Sequence, residues 1–279
     1  MQIELFIYIL VFTVIGGVLS LLGGLLLLIR PKFAQNISHL LSSFAAGALL
    51  GTAFFDLLPE SIEIAGTTQV FFFTLVGILF FFLLERFLHW SHHHQSEFEI
   101  SKGKPIVALI VVGDTIHNFI DGIAIAATFL INIPLGIVTA VAVGAHEIPQ
   151  EIGDFGVLLK QKLKTKRIIV INVLSSLAAV LGAIMMFIFG DFLGSYVSSV
   201  ILPITAGFFI YIALSDLIPE IHLENRKGFA LKETIMLILG VAIIFGVIQA
   251  LNSLGLHSHS HEEEIHIEQE LHEDDLHAD

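Results

Sequence analysis

The chain has 279 residues, of which 55% are hydrophobic and only 14% are charged, and its formal net charge is −13. An ordinary soluble domain needs more polar surface than this composition supplies, so a multi-spanning membrane protein is expected. Cysteine is absent, which excludes disulfide and thiolate chemistry.

Eight continuous apolar segments follow one another along the chain. Each is about 20 residues or longer, the length that a helix needs to cross the hydrocarbon core. They lie near residues 4–29, 36–58, 68–89, 105–130, 134–159, 168–190, 197–219 and 232–254. A transmembrane barrel would need short alternating segments instead. The first segment is expected to be retained as a helix rather than removed as a signal peptide. We therefore predict an all-α membrane protein with eight transmembrane helices in residues 1–255.

The distribution of basic residues predicts the orientation of these helices. All 13 Lys and Arg residues fall at the first, third, fifth and seventh connections, and the other connections and both termini hold none. By the positive-inside rule, the odd-numbered loops are cytoplasmic and both termini face outside. Short loops favour the plasma membrane of a bacterial or archaeal cell.

Two histidine-rich stretches lie outside the apolar segments. The tail, residues 256–279, holds nine acidic residues and six histidines and is predicted to be disordered. A second group begins the third loop, at His89, His92, His93 and His94. Both stretches fit weak metal capture, and both also fit ordinary solvated segments.

A repeat links the second and seventh segments. Residues 46–60 read AGALLGTAFFDLLPE and residues 206–220 read AGFFIYIALSDLIPE, with seven identical positions. Because these helices would cross in opposite directions, the copies predict an inverted repeat of helices 1–3 and 6–8, as in secondary transporters. A shared helix-end signal is the alternative. The repeat places two acids near each mouth of a pathway: Asp56 and Glu60 outside, and Asp216 and Glu220 inside.

The fourth and fifth segments carry the polar side chains that need an explanation. On a helical wheel they form one stripe on each helix: Asp114, His117, Asn118 and Asp121, then His146, Glu147, Gln150, Glu151 and Asp154. Each acid at mid-bilayer costs about 2.5–3.5 kcal/mol if left bare, and neither stripe contains a Lys or Arg. Imidazole with oxygen ligands suits Zn, Fe(II) and Mn. Two facing stripes therefore predict a site for one or two divalent cations.

These motifs resemble those of the ZIP (Zrt/Irt-like) family of metal transporters. The family motif HNFxDG is matched by residues 117–122, and HEXPHEXGD by residues 146–154, with Gln150 in place of the second histidine. The resemblance implies a two-metal site and metal movement into the cytoplasm. It implies these ligands: His117, Asn118, Asp121, His146, Glu147 and Glu151, with Gln150 as a weak oxygen ligand. It also implies that helices 1, 4, 5 and 6 move against helices 2, 3, 7 and 8.

We therefore expect a transporter of divalent cations, chiefly zinc, with iron, manganese and cadmium as further substrates, and no enzymatic activity. Asp114 and Asp154 would line the site or the pathway. The expected partners are the lipid bilayer and metal ions, with a homodimer as a candidate assembly and no nucleic acid. Two alternatives stay open: an intramembrane di-metal enzyme, and a membrane metal sensor that binds without transport. The start of a zinc-protease HExxH motif is present at His146, but its fifth residue is Gln150.

Overall fold

A computed structural model of the chain describes residues 2–96, 104–222 and 229–253, and these ranges are helical apart from short connections. The helices are α1 (Gln2–Ile29), α2 (Pro31–Thr52, continued by Ala53–Leu57 and Leu58–Ala65), α3 (Thr67–Ser96), α4 (Lys104–Ile131), α5 (Ile133–Lys160), α6 (Thr165–Leu193), α7 (Val197–Ile201, Leu202–Tyr211, Ile212–Leu217 and Ile218–His222) and α8 (Phe229–Ser253). The predicted tail at 256–279 lies outside the described residues.

Seven helical stretches in the described ranges are long and apolar enough to cross a membrane. The helix α5 is not among them although it has 28 residues. Its apolar run is interrupted by the polar residues from His146 to Asp154, which lower its hydropathy. The predicted all-α membrane class is confirmed.

Several boundaries differ from the prediction. The second segment was predicted to end at residue 58 and the seventh at 219, yet α2 continues to Ala65 and α7 to His222. The third was predicted to end at 89, but α3 runs to Ser96 because no Gly or Pro interrupts it after Gly77. The histidines expected to begin the third loop therefore lie on the last turns of α3, and their side chains are outside the described part of the chain.

The helices α2 and α7 pass through prolines by widening the turn in front of them. The part of the chain that the structure describes contains three π-helical segments, at Ala53–Leu57, Val197–Ile201 and Ile212–Leu217. Each is followed at the second residue by a proline, at 59, 203 and 219. Proline has no amide hydrogen and its ring clashes with the carbonyl one turn back, and a π turn moves that carbonyl aside. The helix can therefore continue instead of stopping.

The helices pack mainly as four pairs: α1 with α5, α4 with α6, α2 with α8, and α3 with α7. Within the described ranges, these pairs assemble into two sets. Helices α1, α4, α5 and α6 form one set and α2, α3, α7 and α8 the other, and the main contact between the sets is made by α2 against α5. The stripes of α4 and α5 lie within the first set.

Glycines let the paired helices of the second set approach closely. A Cβ atom on Gly47 of α2 would lie 2.0 Å from the carbonyl oxygen of Leu237 on α8. The corresponding glycine of the other repeat copy is Gly207 on α7, where a Cβ would lie 2.3 Å from the carbonyl oxygen of Thr74 on α3. Only glycine fits at such backbone crossings. The similar stretches 46–60 and 206–220 thus share both a π segment and a glycine crossing.

Candidate metal centre

The two polar stripes are brought together by a turn of one residue. Asn132 separates α4 from α5 and caps α5, because its side-chain Oδ1 accepts a hydrogen bond of 2.7 Å from the amide of Leu135. His117 and His146 each lie about 14 or 15 residues from Asn132, or roughly 21 Å of helix. Two antiparallel helices joined this tightly carry their histidines to the same depth, near the middle of each helix.

Four side chains form a compact group at that depth. The Nε2 atoms of His117 and His146 lie 3.0 Å apart. The Oδ2 atom of Asp121 lies 3.3 Å from Nε2 of His146 and 3.6 Å from Nε2 of His117. The Oε1 atom of Glu147 lies 3.5 Å from Nε2 of His117 and 3.8 Å from Nε2 of His146. All four ligand atoms lie within 4.8 Å of one another, and all four residues are buried. We call His117, Asp121, His146 and Glu147 the central cluster.

Asn118 and Asp114 form a second polar unit on α4. The side-chain amide of Asn118 donates to the carboxylate Oδ1 of Asp114 at 2.9 Å and to its backbone carbonyl at 3.1 Å. The hydroxyls of Thr115 and Ser175 lie 3.1 Å apart, which joins this part of α4 to α6. Asn118 therefore points at Asp114 in this structure, and its oxygen remains available as an acceptor.

Glu151 lies one helical turn beyond Glu147 and is completely buried. Neither of its carboxylate oxygens has a hydrogen-bond partner among the described residues, and the same holds for both oxygens of Glu147. Buried polar atoms in proteins are almost always satisfied, and an unpaired carboxylate is among the most expensive exceptions. Such oxygens fit a cation that the carboxylates surround.

The remaining predicted residues lie in more varied surroundings. Gln150 and Asp154 on α5 are half-buried, and neither belongs to the central cluster. Of the four acids of the repeat, Asp56 is buried, Glu60 is half-buried, Asp216 is exposed and accepts a 2.6 Å hydrogen bond from Ser215, and the side chain of Glu220 lies outside the described part of the chain.

Sequence reasoning missed a group of residues on α3 and α7 next to the central cluster. The ring of Phe81 lies edge-on to the ring of His117, with centroids 5.7 Å apart. Tyr211 packs on Phe81 and donates a hydrogen bond to Glu85. The run of phenylalanines in the third segment by itself indicates only an apolar face. The available sequence signal was Glu85, because a carboxylate inside an apolar span is costly unless it has a partner.

The similarity to known proteins covers most of the chain. A family model described as ZIP zinc transporter matches residues 3–98 and 89–248. The chain belongs to the ZIP zinc transporter family. The resemblance stated from the motifs on the fourth and fifth segments is thereby confirmed at the level of the family.

Individual ZIP proteins match shorter stretches. Zinc transporter ZIP10 of Danio rerio is 41% identical over 148 residues, which are 51% of this chain and 17% of that protein. Zinc transporter ZIP6 of Homo sapiens is 35% identical over 166 residues, or 56% of this chain and 22% of that protein. Zinc transporter ZIP13 of Pongo abelii is 29% identical over 225 residues, which are 76% of this chain and 66% of that protein. The chain thus spans about a fifth of the length of the first two relatives.

Proposed function

We propose that this ZIP family protein transports divalent metal cations, with zinc as its main substrate, into the cytoplasm. The observation that carries the proposal is the central cluster. Two imidazole nitrogens and two carboxylate oxygens lie within 4.8 Å of one another, buried at the middle of two helices of 28 residues each. A divalent cation is the partner that this donor set fits, because it can bind all four ligand atoms.

The chemistry of the cluster favours zinc without excluding related ions. Nitrogen and oxygen donors with no thiolate suit Zn, Fe(II) and Mn, and two imidazoles favour the zinc end of that series. The relatives named above are zinc transporters by description, which supports the same substrate here. Iron, manganese and cadmium are proposed as further substrates.

A second cation is proposed one turn further along α5. Among the described residues, Glu151 has two buried oxygens without hydrogen-bond partners, and Asp114 has one. The oxygen of Asn118 is a further donor atom of the same hard type. Glu147 belongs to the central cluster and lies one helical turn before Glu151 on α5, so its two oxygens can serve both cations. This arrangement supports the binuclear site that the family resemblance implies, with Gln150 as a weak oxygen ligand.

The division of the helices into two sets supports transport by relative movement of the two sets. The central cluster is built entirely on α4 and α5 of the first set. The first set meets the second set mainly where α5 packs against α2. Sliding the first set would carry the ligands as one unit. The shared π segments and glycine crossings support an inverted repeat, which gives such a protein two related end states.

Membrane crossing by all eight helices, with both termini outside, is part of the same proposal. In the described ranges the members of each packed pair are both odd-numbered or both even-numbered. Contacts of Gly47 with Leu237 and of Gly51 with Ile244 show that α2 and α8 run in the same direction. Parallel pairing of this kind is what alternating crossings require. The location would be the plasma membrane of the cell.

The acids of the repeat would line the two mouths of the pathway. Asp56 and Glu60 would stand outside and Asp216 and Glu220 inside, with Asp154 between the second cation and the cytoplasm. The histidine-rich tail and the histidines at the end of α3 are proposed to capture metal weakly on either side. A homodimer remains the candidate assembly.

Metal flux into proteoliposomes tests the proposed function. Purified protein would be reconstituted into liposomes that contain a metal-sensitive dye. Zn, Cd, Fe(II) and Mn would then be added outside the liposomes in turn. We expect saturable uptake with zinc preferred. Uptake no faster than in empty liposomes, for every metal, would refute transport, and zinc binding without any uptake would then favour the sensor.

The substitution Glu151→Gln is expected to have opposite effects on stability and transport. Glutamine keeps the size of the side chain and removes the charge, so the metal-free protein should be at least as stable as wild type. Zinc should then raise the melting temperature less than it does in wild type, and flux should fall. Thermal unfolding with and without zinc measures the stability and its zinc-dependent rise, uptake into proteoliposomes measures the flux, and Glu63→Gln near the end of α2 is the control. An undiminished zinc-dependent rise would remove Glu151 from the site.

The substitution Gln150→His is expected to shift selectivity toward zinc. It restores the second histidine of the commoner family motif, and an added imidazole favours Zn over harder ions such as Mn. Competition between zinc and manganese for uptake measures the shift, which should reach about tenfold if the imidazole contacts the ion. An unchanged ratio would show that the side chain at position 150 does not touch the metal.

A further inference from the structure

The ring of Phe81 lies between the central cluster and α7. Phe81 is buried, and its ring meets the ring of His117 at an interplanar angle of 89° and a centroid distance of 5.7 Å. On its other sides it packs against Phe208 at 5.5 Å and Tyr211 at 5.4 Å. Most other phenylalanines of α3, such as its neighbours Phe80 and Phe82, are exposed on the outer surface. Among the described side chains of α3, Phe81 is therefore the aromatic residue that contacts a residue of the cluster.

A hydrogen bond holds the ring that supports Phe81. The hydroxyl of Tyr211 donates to Oε2 of Glu85 at 2.5 Å. Glu85 lies one helical turn after Phe81, so both side chains face α7 from the same side of α3. A carboxylate within an apolar span persists where it has a partner, and Tyr211 is that partner. The contacts form a chain from Glu85 through Tyr211 and Phe81 to His117.

We propose that Phe81 is a positioning residue for the metal site, and that the hydrogen bond between Tyr211 and Glu85 keeps Phe81 in place. The inference rests on the proposed function, because it assigns a role at the same site. His117 can rotate about two side-chain bonds, and its Nε2 must face three other ligands at once. An edge-on aromatic neighbour restricts that rotation, so less order has to be created when the cation binds.

The contact between Phe81 and His117 depends on how the two sets of helices are arranged. Phe81 belongs to the second set of helices and His117 to the first, so the ring contact crosses the boundary between the sets. Phe81 can orient His117 only while the cluster lies against α3 and α7. In this arrangement of the two sets, Phe81 therefore restricts the orientation of the His117 side chain. A sliding movement of the first set would remove that restriction.

The substitution Phe81→Ala tests the role of the ring, with Phe82→Ala as the matched control on the exposed side of the same helix. Zinc binding to the full-length protein in detergent would be measured by calorimetry, and uptake kinetics in proteoliposomes. We expect Phe81→Ala to weaken zinc binding about two- to tenfold, the range that an aromatic pair of this kind supplies. The half-saturation concentration should rise by the same factor with a much smaller change in maximal rate. Phe82→Ala should match wild type.

Two more variants test the support of the ring. Tyr211→Phe keeps the aromatic ring and loses the hydroxyl donor, and should weaken zinc binding in the same direction by a smaller factor. Glu85→Gln keeps an oxygen that accepts from Tyr211, and should bind zinc almost as wild type does. If Phe81→Ala does not fold, Phe81→Leu keeps the apolar volume without the aromatic edge and decides the matter.

The outcomes separate this inference from the proposed function. Wild-type zinc affinity in Phe81→Leu or Phe81→Ala, or an equal loss in Phe82→Ala, would overturn the positioning role. If His117→Ala also binds zinc as wild type does, the cluster is not the metal site and the proposed function falls with it. If His117→Ala loses binding while the Phe81 variants keep it, only the inference about Phe81 falls.

Discussion

Replacing His117 by alanine is expected to abolish saturable zinc uptake while the protein still folds. The Nε2 atom of His117 lies within 3.6 Å of a ligand atom of each of the other three cluster residues, so its imidazole stands at the centre of the group. Loss of a hydrogen-bonded partner that orients a metal-binding histidine typically weakens metal binding about 10- to 100-fold. Loss of the ligand itself should exceed that range.

The measurement combines zinc uptake into proteoliposomes with zinc binding in detergent. His39→Ala is the control, because His39 is also a histidine on a membrane helix but lies on α2, outside the central cluster. The folded state of each variant is checked by its thermal unfolding. Uptake by His117→Ala at the wild-type rate would exclude the central cluster as the transport site.

The faces of α4 and α5 could be predicted from the sequence because helical geometry alone sets them. Residues three, four and seven apart share a face, and acids without Lys or Arg in an apolar helix must turn inward. The relative height of the two helices could not be predicted from helical geometry. It depends on the turn at Asn132, where the predicted gap of several residues shortens to one. That turn decides that His117 meets His146.

Other features depended on contacts between residues far apart in sequence. The ring of Phe81 belongs to a run of phenylalanines whose pattern predicts only an apolar face, and nothing in the run marks the one that reaches His117. The continuation of α2 past Pro59 was predicted wrongly because proline usually ends a helix. The π segment that precedes it leaves no clear pattern in the residues themselves.

Replacing Gly122 by alanine is expected to have the largest effect on folding. Gly122 follows Asp121 in the HNFxDG motif, at the point where α4 crosses α6. A Cβ atom there would lie 1.8 Å from the carbonyl oxygen of Ala179 and 2.6 Å from its carbonyl carbon. These are backbone atoms that cannot rotate away, so the two helices would have to separate. Overpacking of this kind costs about 1–3 kcal/mol or more.

The same separation would disturb the proposed metal site, because Asp121 is the neighbour of Gly122 and its Oδ2 atom contacts His146 at 3.3 Å. Gly122→Ala should therefore lower the melting temperature by several degrees and weaken zinc binding together. Gly182→Ala tests the same crossing from α6, where a Cβ would lie 2.1 Å from the carbonyl oxygen of Phe119. Gly246→Ala on α8 is the control, since its Cβ meets nothing within 4 Å and alanine favours a helix by about 1 kcal/mol. Wild-type melting and zinc affinity in Gly122→Ala would show that the α4–α6 crossing is looser than the structure has it, and that the glycine of the motif serves something other than close packing.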